Sequence, residues 1–140
     1  MTSFISIVLG LATIGIVLAT AMTTLQDIRE SRMIIQCEEA IQNALADYEG
    51  IADGALYIGK DATILAKNST SLSLDGLTVT KREELICRAK NGAYFIFHAE
   101  ASNGAVVDMF ITPCSEEEIK HRLEPHVQVY IDNFGRPDEA

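Results

Sequence analysis

The sequence lacks tryptophan, a C-x-x-C pair, and any charged residue between Phe4 and Met22. It also lacks the G-x-S-x-G motif that exposes a nucleophilic serine and the glycine-rich loop that binds phosphate. Its cysteines, Cys37, Cys87 and Cys114, have no spacing typical of a zinc knuckle or a redox motif. We therefore expect no enzymatic activity, no metal site and no cofactor.

Basic clusters are also missing. The chain carries 11 basic and 20 acidic residues and has a formal net charge of −9 at pH 7. A nucleic-acid-binding domain normally shows a positive patch, and a polybasic membrane-binding segment would need one as well. We therefore predict no nucleic-acid partner, and we interpret the acidic excess as a solubilising surface.

The longest apolar segment runs from Phe4 to Met22, about 19 residues, close to the ~20 needed to cross a bilayer. A cleaved signal peptide is one alternative, because Ala19-Thr20-Ala21 has the small-x-small form, but no basic residue precedes the run. A buried soluble helix is another, but it would need a larger protein around it. The favoured prediction is a tail at residues 1–3 and a membrane-spanning half-helix at 4–23, with lipid as a partner.

The segment that follows, residues 24–49, has no interrupting proline and is predicted to continue the same helix as an amphipathic half. Its apolar positions recur at steps of three and four, which is typical of one buried helix face. These helix-packing residues are Ile34, Cys37, Ile41, Ala44 and Tyr48. We expect them to pack against the chain's own C-terminal domain and Gly50 to cap the helix in a left-handed conformation.

Two further features of the helix concern its partners and orientation. Gly15 and Ala19 have the small-xxx-small spacing that lets membrane helices approach closely, which predicts self-association or contact with other membrane subunits. Arg29 and Arg32 just beyond the apolar run favour a cytoplasmic C-terminal domain, but acidic residues are interleaved with them. The side of the membrane is therefore open on this criterion.

Residues 50–134 are predicted to form a small α+β domain. Its predicted strands are 55–58, 63–66, 71–74, 77–80, 84–90, 93–101 and 105–112. Asp75-Gly76, Asn91-Gly92 and Asn103-Gly104 are typical hairpin turns between such strands. The overall prediction is a long N-terminal helix packed on a small antiparallel sheet.

After the strands, a short C-terminal helix is predicted at Glu116–Leu123. Ser115 and Glu118 have the spacing of a capping box, in which the serine side chain accepts a hydrogen bond from the third helical amide. A last strand is predicted at His126–Ile131, and residues 135–140 are predicted to be disordered.

Cys87 and Cys114 are candidates for a disulfide. If the domain lies outside the cytoplasm, this pair is the favoured bridge, although the end of the predicted strand 105–112 must fold back to allow it. If the domain is cytoplasmic, all three cysteines are expected to be free thiols. Cys37 lies on the apolar face of the amphipathic half-helix and is interpreted as a small buried residue in either case.

Residues 12–28, ATIGIVLATAMTTLQDI, resemble the N-terminal helix of type IV pilins and the related pseudopilins. The matching positions are Ala12, Ile14, Gly15, Ile16, Ala19, Ala21, Gln26 and Asp27. The resemblance implies a helix whose apolar half anchors the subunit in the membrane and later forms the core of a filament. Thr23 stands where the family has a proline. Ser6 stands where it has a glutamate, which implies a minor, tip or atypical subunit, or one with different processing.

The sequence thus predicts a single-pass membrane structural or assembly subunit, pilin- or pseudopilin-like, acting in a filament or secretion-type assembly with its domain outside the cytoplasm. The alternative is a bitopic membrane accessory or sensor protein with a small cytoplasmic or periplasmic binding domain.

Overall fold

The computed structural model begins with one long helix, α1, which spans Thr2–Asp47. Its 46 residues correspond to about 69 Å at ~1.5 Å per residue. The helix ends three residues before Gly50, which lies in a strand and is not among the glycines with positive φ. The predicted left-handed cap at Gly50 is therefore wrong, because the chain turns directly from helix into a hairpin.

The structure describes the backbone of every residue except Met1, and the side chains of residues 20–70 and 72–140. Most of the predicted membrane half, residues 4–23, lies outside the described side chains. No helix in the part that is described in this way is long and apolar enough to cross a membrane.

A short hairpin follows α1. Its strands are β1, Glu49–Ala52, and β2, Ala55–Ile58, which pair in antiparallel register. The two turn residues, Asp53 and Gly54, both have positive φ, as a tight two-residue hairpin turn requires. The sequence prediction found β2 and missed β1, although Asp53-Gly54 is the turn signal that would have placed it.

Four antiparallel strands form the main sheet in the order β3-β4-β5-β6. They span Thr63–Asp75, Thr78–Arg88, Tyr94–Ser102 and Ala105–Cys114. Each strand pairs with the next one along the chain, so the sheet is a simple meander. This confirms the α+β class and the antiparallel sheet predicted from the sequence.

The predicted division of the first two strands is wrong. Segments 63–66 and 71–74 are parts of one strand, β3, and segments 77–80 and 84–90 fall in or beside one strand, β4. Two register shifts in β3 interrupt the alternation of apolar and polar residues, which made the strand look broken. In β4 the polar run that interrupts the pattern is paired with both neighbouring strands.

The hairpin turns are close to those predicted. Asn103 and Gly104 both have positive φ and join β5 to β6 through a two-residue turn. The turn between β3 and β4 is centred on Gly76 and Leu77, one residue later than predicted, because Asp75 already pairs with Thr78.

Helix α1 lies on one face of the main sheet. The first hydrophobic cluster joins the second half of α1 to inward-facing residues of β4 and β5, including Leu85, Phe95 and Phe97, each fully buried. Contact is also close at the end of the helix, where a Cβ atom added to Gly59 would lie 1.7 Å from the Leu45 carbonyl oxygen. Only glycine fits there.

Two short helices cover part of the opposite face. Helix α2, Glu116–Leu123, begins at Ser115, whose Oγ accepts a hydrogen bond from the Glu118 amide over 3.2 Å, as predicted. Helix α3, Val127–Phe134, replaces the predicted strand His126–Ile131. Its side chains pack on the second hydrophobic cluster, of Ala66, Ile86, Ile96, Ile119 and Leu123, and this packing outweighs the β propensity of the segment.

Candidate functional site

The sheet-facing side of α1 is formed by the helix-packing residues of its second half. Cys37 and Ile41 are fully buried, and Leu45 joins them. Ile34, Ala44 and Tyr48 are half-buried and pack on the same cluster. The Tyr48 ring meets the Phe97 ring edge-on, with 5.7 Å between the centroids. The other two helix-packing candidates, Gly15 and Ala19, lie outside the described side chains.

Four charged side chains meet under α1. Lys81, on β4, forms ion pairs with Glu38 of the helix and with Glu83, whose Oε1 lies 3.0 Å from the Lys81 Nζ. Lys67 of β3 approaches Glu83 to 3.6 Å. The Lys81 side chain is 8% exposed and that of Glu83 0%. Neither carboxylate oxygen of Glu83 has a hydrogen-bond donor of good geometry among the described residues.

These charges compensate one another. Burial alone would lower the pKa of Lys81, but its hydrogen bond to Glu38 and the negative charges of Glu38 and Glu83 outweigh burial and raise it. The same hydrogen bond lowers the pKa of Glu38. Both groups are thus held in their charged forms, and the network joins the helix to the sheet at one defined place.

This network is absent from the candidates predicted from the sequence. Lys81 and Glu83 belong to the polar run that interrupted a predicted strand. Alternation in β4 was the available signal, because Val79, Lys81, Glu83 and Leu85 occupy every second position and both outer members are apolar. A strand period read across the whole run would have placed the two charges on the buried face.

The outward side of α1 carries apolar residues that the sheet does not cover. Leu25, Ile28 and Ile35 are 66%, 51% and 53% exposed. At about 100° per residue they lie opposite the buried positions Cys37 and Ile41. We call the whole row, which repeats at steps of three and four, the outer stripe. Its members are Ala21, Leu25, Ile28, Arg32, Ile35 and Glu39.

A shallow groove runs along the outer stripe. Its volume is about 580 Å³, and all of its lining residues belong to α1. They include Ile28, Arg32, Ile35 and Glu39. Exposed apolar residues are common singly, but a row of them along one helix face is typical of a surface that packs against another element.

A cleft of about 460 Å³ lies on the opposite face of the sheet, beside the part that α2 and α3 cover. In its floor, His98 stacks on Phe110 with 4.4 Å between ring centroids, and His98 Nε2 lies 3.0 Å from Thr112 Oγ1. His98 Nδ1 lies 3.6 Å from Glu84, whose other oxygen accepts a hydrogen bond from Arg122 at 3.0 Å.

The order of hydroxyl, imidazole and carboxylate in this cleft resembles a nucleophilic triad, but its geometry does not. The 3.6 Å separation is too long for Glu84 to orient the imidazole by a hydrogen bond, and Arg122 binds that carboxylate instead. Burial lowers the pKa of His98, with the Glu84 charge opposing and the Arg122 charge adding to the shift. In this geometry Glu84 is paired with Arg122 and does not orient the His98 imidazole as the carboxylate of a triad would.

The candidate disulfide is not formed, and Cys37, Cys87 and Cys114 are all free thiols. Cys87 and Cys114 lie on β4 and β6, which are separated by β5. Cys87 belongs to the cluster under α1, whereas Cys114 packs on the cluster under the short helices, so their side chains are on opposite faces of the sheet. A bridge would require Cβ atoms about 3.5–4.5 Å apart, which this arrangement does not allow.

The histidines and acidic residues do not assemble into a metal site in the part of the chain that is described. His126 shares a hydrogen bond of 2.8 Å with Asn68, and His121 lies 3.5 Å from Glu124 of the same turn. The first interaction joins the residue before α3 to β3, and the second lies within one helical turn.

No protein-family model, curated protein or solved structure matches this chain. The resemblance of residues 12–28 to type IV pilins and pseudopilins therefore stays a prediction.

Proposed function

We propose that this protein is a single-pass membrane subunit of a filament or secretion-type assembly, similar to pilins and pseudopilins. In this proposal the apolar run Phe4–Met22 inserts into the membrane and the α+β domain lies outside the cytoplasm. The observation that carries the proposal is the outer stripe. A helix already anchored to its own domain by one face offers a second, apolar face for another subunit.

The difference between the covered side and the exposed side of α1 supports the proposal. The sheet covers only one side of the second half of the helix, through Cys37, Ile41 and Leu45. The Glu38–Lys81–Glu83 contacts hold that side in place, so the opposite side stays presented. Three large apolar side chains on a fixed, exposed helix face resemble the contact row of a helix bundle.

Co-isolation of two differently tagged full-length copies from detergent-solubilised membranes tests the proposal. We expect Ile28→Lys to abolish co-isolation, because it places a charge at the centre of the outer stripe. The matched control is Leu56→Lys, since Leu56 is 57% exposed on β2 and Ile28 is 51% exposed. Association that survives Ile28→Lys, or that is lost equally in both variants, would contradict the proposal.

Membrane insertion and sidedness need a separate measurement. Deleting residues 4–22 should release the chain from the membrane fraction. Because Cys114 is a free, half-buried thiol, a membrane-impermeant maleimide should label it in cells whose outer barrier is permeabilised. Labelling only after lysis of the inner membrane would place the domain in the cytoplasm.

The second candidate function is a membrane-anchored accessory or sensor protein. The His98 cleft favours it, because charged and aromatic side chains line one concave surface of the domain. In that case Phe110→Ala should impair the activity of the partner complex while co-isolation of two copies is unaffected. The opposite pattern favours the structural subunit.

A further inference from the structure

The outer stripe contains two charges among its apolar residues. They are Arg32 and Glu39, both exposed, and they are separated by seven positions, two turns of the helix. The spacing places both on the same line along the axis. Ile35 lies between them, and Ile28 lies next to Arg32 on the N-terminal side.

Within the described part of the chain, neither Arg32 nor Glu39 forms an ion pair. The positions three and four residues from Arg32 hold Ile28, Arg29, Ile35 and Gln36, and those around Glu39 hold no basic residue. An exposed helix normally gains from opposite charges at these spacings. The two charges are therefore free to pair with another molecule.

Resting on the proposed self-association, we propose that Arg32 of one copy pairs with Glu39 of a second copy and sets the offset between two parallel α1 helices. The offset is one heptad, about 10.5 Å at ~1.5 Å per residue. Helices in exact register would place Arg32 against Arg32 and Glu39 against Glu39, which opposes association. Shifting one copy by seven residues converts both repulsions into one attraction.

The same offset aligns the apolar members of the stripe. Ile28 of one copy meets Ile35 of the next, and Ala21 meets Ile28. Leu25 of the first copy lies beside Arg32 of the second, whose aliphatic stem can cover it while its guanidinium extends toward Glu39 of a third copy. The contact surface is therefore apolar along its length and contains one charge pair that specifies its register.

An antiparallel pair of helices would also bring Arg32 to Glu39, twice over. Copies that insert into one membrane by the same N-terminal segment have the same orientation, so the proposed function favours the parallel arrangement. Because the contact is offset, each copy offers Arg32 to one neighbour and Glu39 to the other. Such a contact does not close into a dimer and continues from subunit to subunit.

Charge reversal in the full-length chain tests the pairing. Arg32→Glu and Glu39→Arg should each reduce co-isolation of tagged copies at least about tenfold, since like charges then meet. The double variant should restore it, and so should mixing the two single variants. Arg29→Glu and Asp47→Arg are the matched controls, because both residues are exposed on α1 but lie off the stripe. Single variants that associate normally, or a double variant that is not restored, would overturn the pairing.

Disulfide trapping in a Cys114→Ser background tests the offset. Copies carrying Ile28→Cys and copies carrying Ile35→Cys should cross-link to each other, and each variant should cross-link to itself poorly. Strong self-cross-linking of Ile28→Cys would establish exact register, and self-cross-linking of Ile35→Cys alone would establish an antiparallel pair; either result overturns the inference. If Ile28→Lys still disrupts co-isolation in that case, the proposed function stands and only the register is wrong.

Discussion

The two faces of α1 use the same residue types for different purposes. The sheet-facing side buries Cys37 and Ile41 and pairs Glu38 with Lys81 under the helix. The outer stripe exposes Ile28 and Ile35 and carries charges that find no ion-pair partner among the described residues. Both sides have apolar residues at steps of three and four, and both have charges placed among them. What separates them is whether the sheet supplies the other half of each contact.

The difference separates contacts that stabilise the fold of one chain from contacts that are open to another molecule. A buried ion pair rarely adds stability over an apolar pair of the same shape, but it specifies one alignment. The Lys81 network does this for the helix on its own sheet. By the proposed pairing, Arg32 and Glu39 do it for one helix on the next copy.

The largest effect should come from breaking the buried network. Lys81→Met leaves the fully buried Glu83 carboxylate facing only Lys67 at 3.6 Å. We expect a loss of about 3–5 kcal/mol in the free energy of unfolding, because removing the nearer cation leaves a buried carboxylate poorly compensated. Denaturant unfolding in detergent, followed by the near-ultraviolet circular dichroism of the tyrosines, measures it.

The double variant Lys81→Met/Glu83→Leu is the control for that measurement. Removing both charges should recover most of the stability, since apolar side chains can fill the same space. If the single variant is as stable as the unchanged chain, Glu83 is not held by Lys81. If the double variant stays as unstable as the single one, the packing of the lysine stem matters more than its charge.

The second prediction compares one isoleucine from each face. Ile41→Ala should cost about 2–5 kcal/mol of folding free energy, because Ile41 is fully buried and its removal leaves a cavity. Ile35→Ala, at a position 53% exposed, should change it by less than about 0.5 kcal/mol but should weaken co-isolation. Equal folding losses in the two variants would mean that α1 is covered on both sides within one chain.

Local patterns predicted the parts of this fold that depend on neighbours in sequence. Apolar residues at steps of three and four predicted the sheet-facing side of α1 around Cys37. The Asn103-Gly104 pair predicted the turn of the last hairpin. The Ser115 cap placed the start of α2. In each case the physical cause lies within a few residues, in a helix period, a turn that needs positive φ, or one side-chain hydrogen bond.

Other parts needed the tertiary structure. Segment 127–131 has strong β formers but packs as a helix on Ile86 and Ile96, and packing energy exceeds local propensity there. Lys81 and Glu83 look like surface charges until α1 covers them. The residues of the outer stripe can be read from the sequence, but only the position of the sheet decides which side of α1 is exposed.

The third prediction uses thiol reactivity to compare positions two residues apart. Cys37 should react with a maleimide at least about 100-fold more slowly than a cysteine placed at Ile35 in a Cys114→Ser chain that carries Ile28→Lys to prevent association, because modification of Cys37 requires α1 to open from the sheet. Cys87 should also be protected, since burial raises its pKa to about 12 and leaves little thiolate. Mass spectrometry of labelled peptides over time gives the rates. Rapid labelling of Cys37 would show that the sheet-facing side opens readily.

The smallest effect should separate the two sets of charges by their exposure to salt. Raising the ionic strength from about 0.05 to 0.5 M shortens the screening length well below 10 Å and should weaken self-association severalfold, since exposed pairs contribute about 0.2–1 kcal/mol. The folding free energy should hardly respond, because Lys81 and Glu83 are shielded from the solvent. Arg32→Gln/Glu39→Gln copies provide the control, as their association should lose its salt dependence while their Lys81 network is intact. If the salt dependence persists in that variant, the screened charges lie elsewhere on the surface. Arg32 and Glu39 then do not pair between copies, and the two faces of α1 do not differ in the salt sensitivity of their charge pairs.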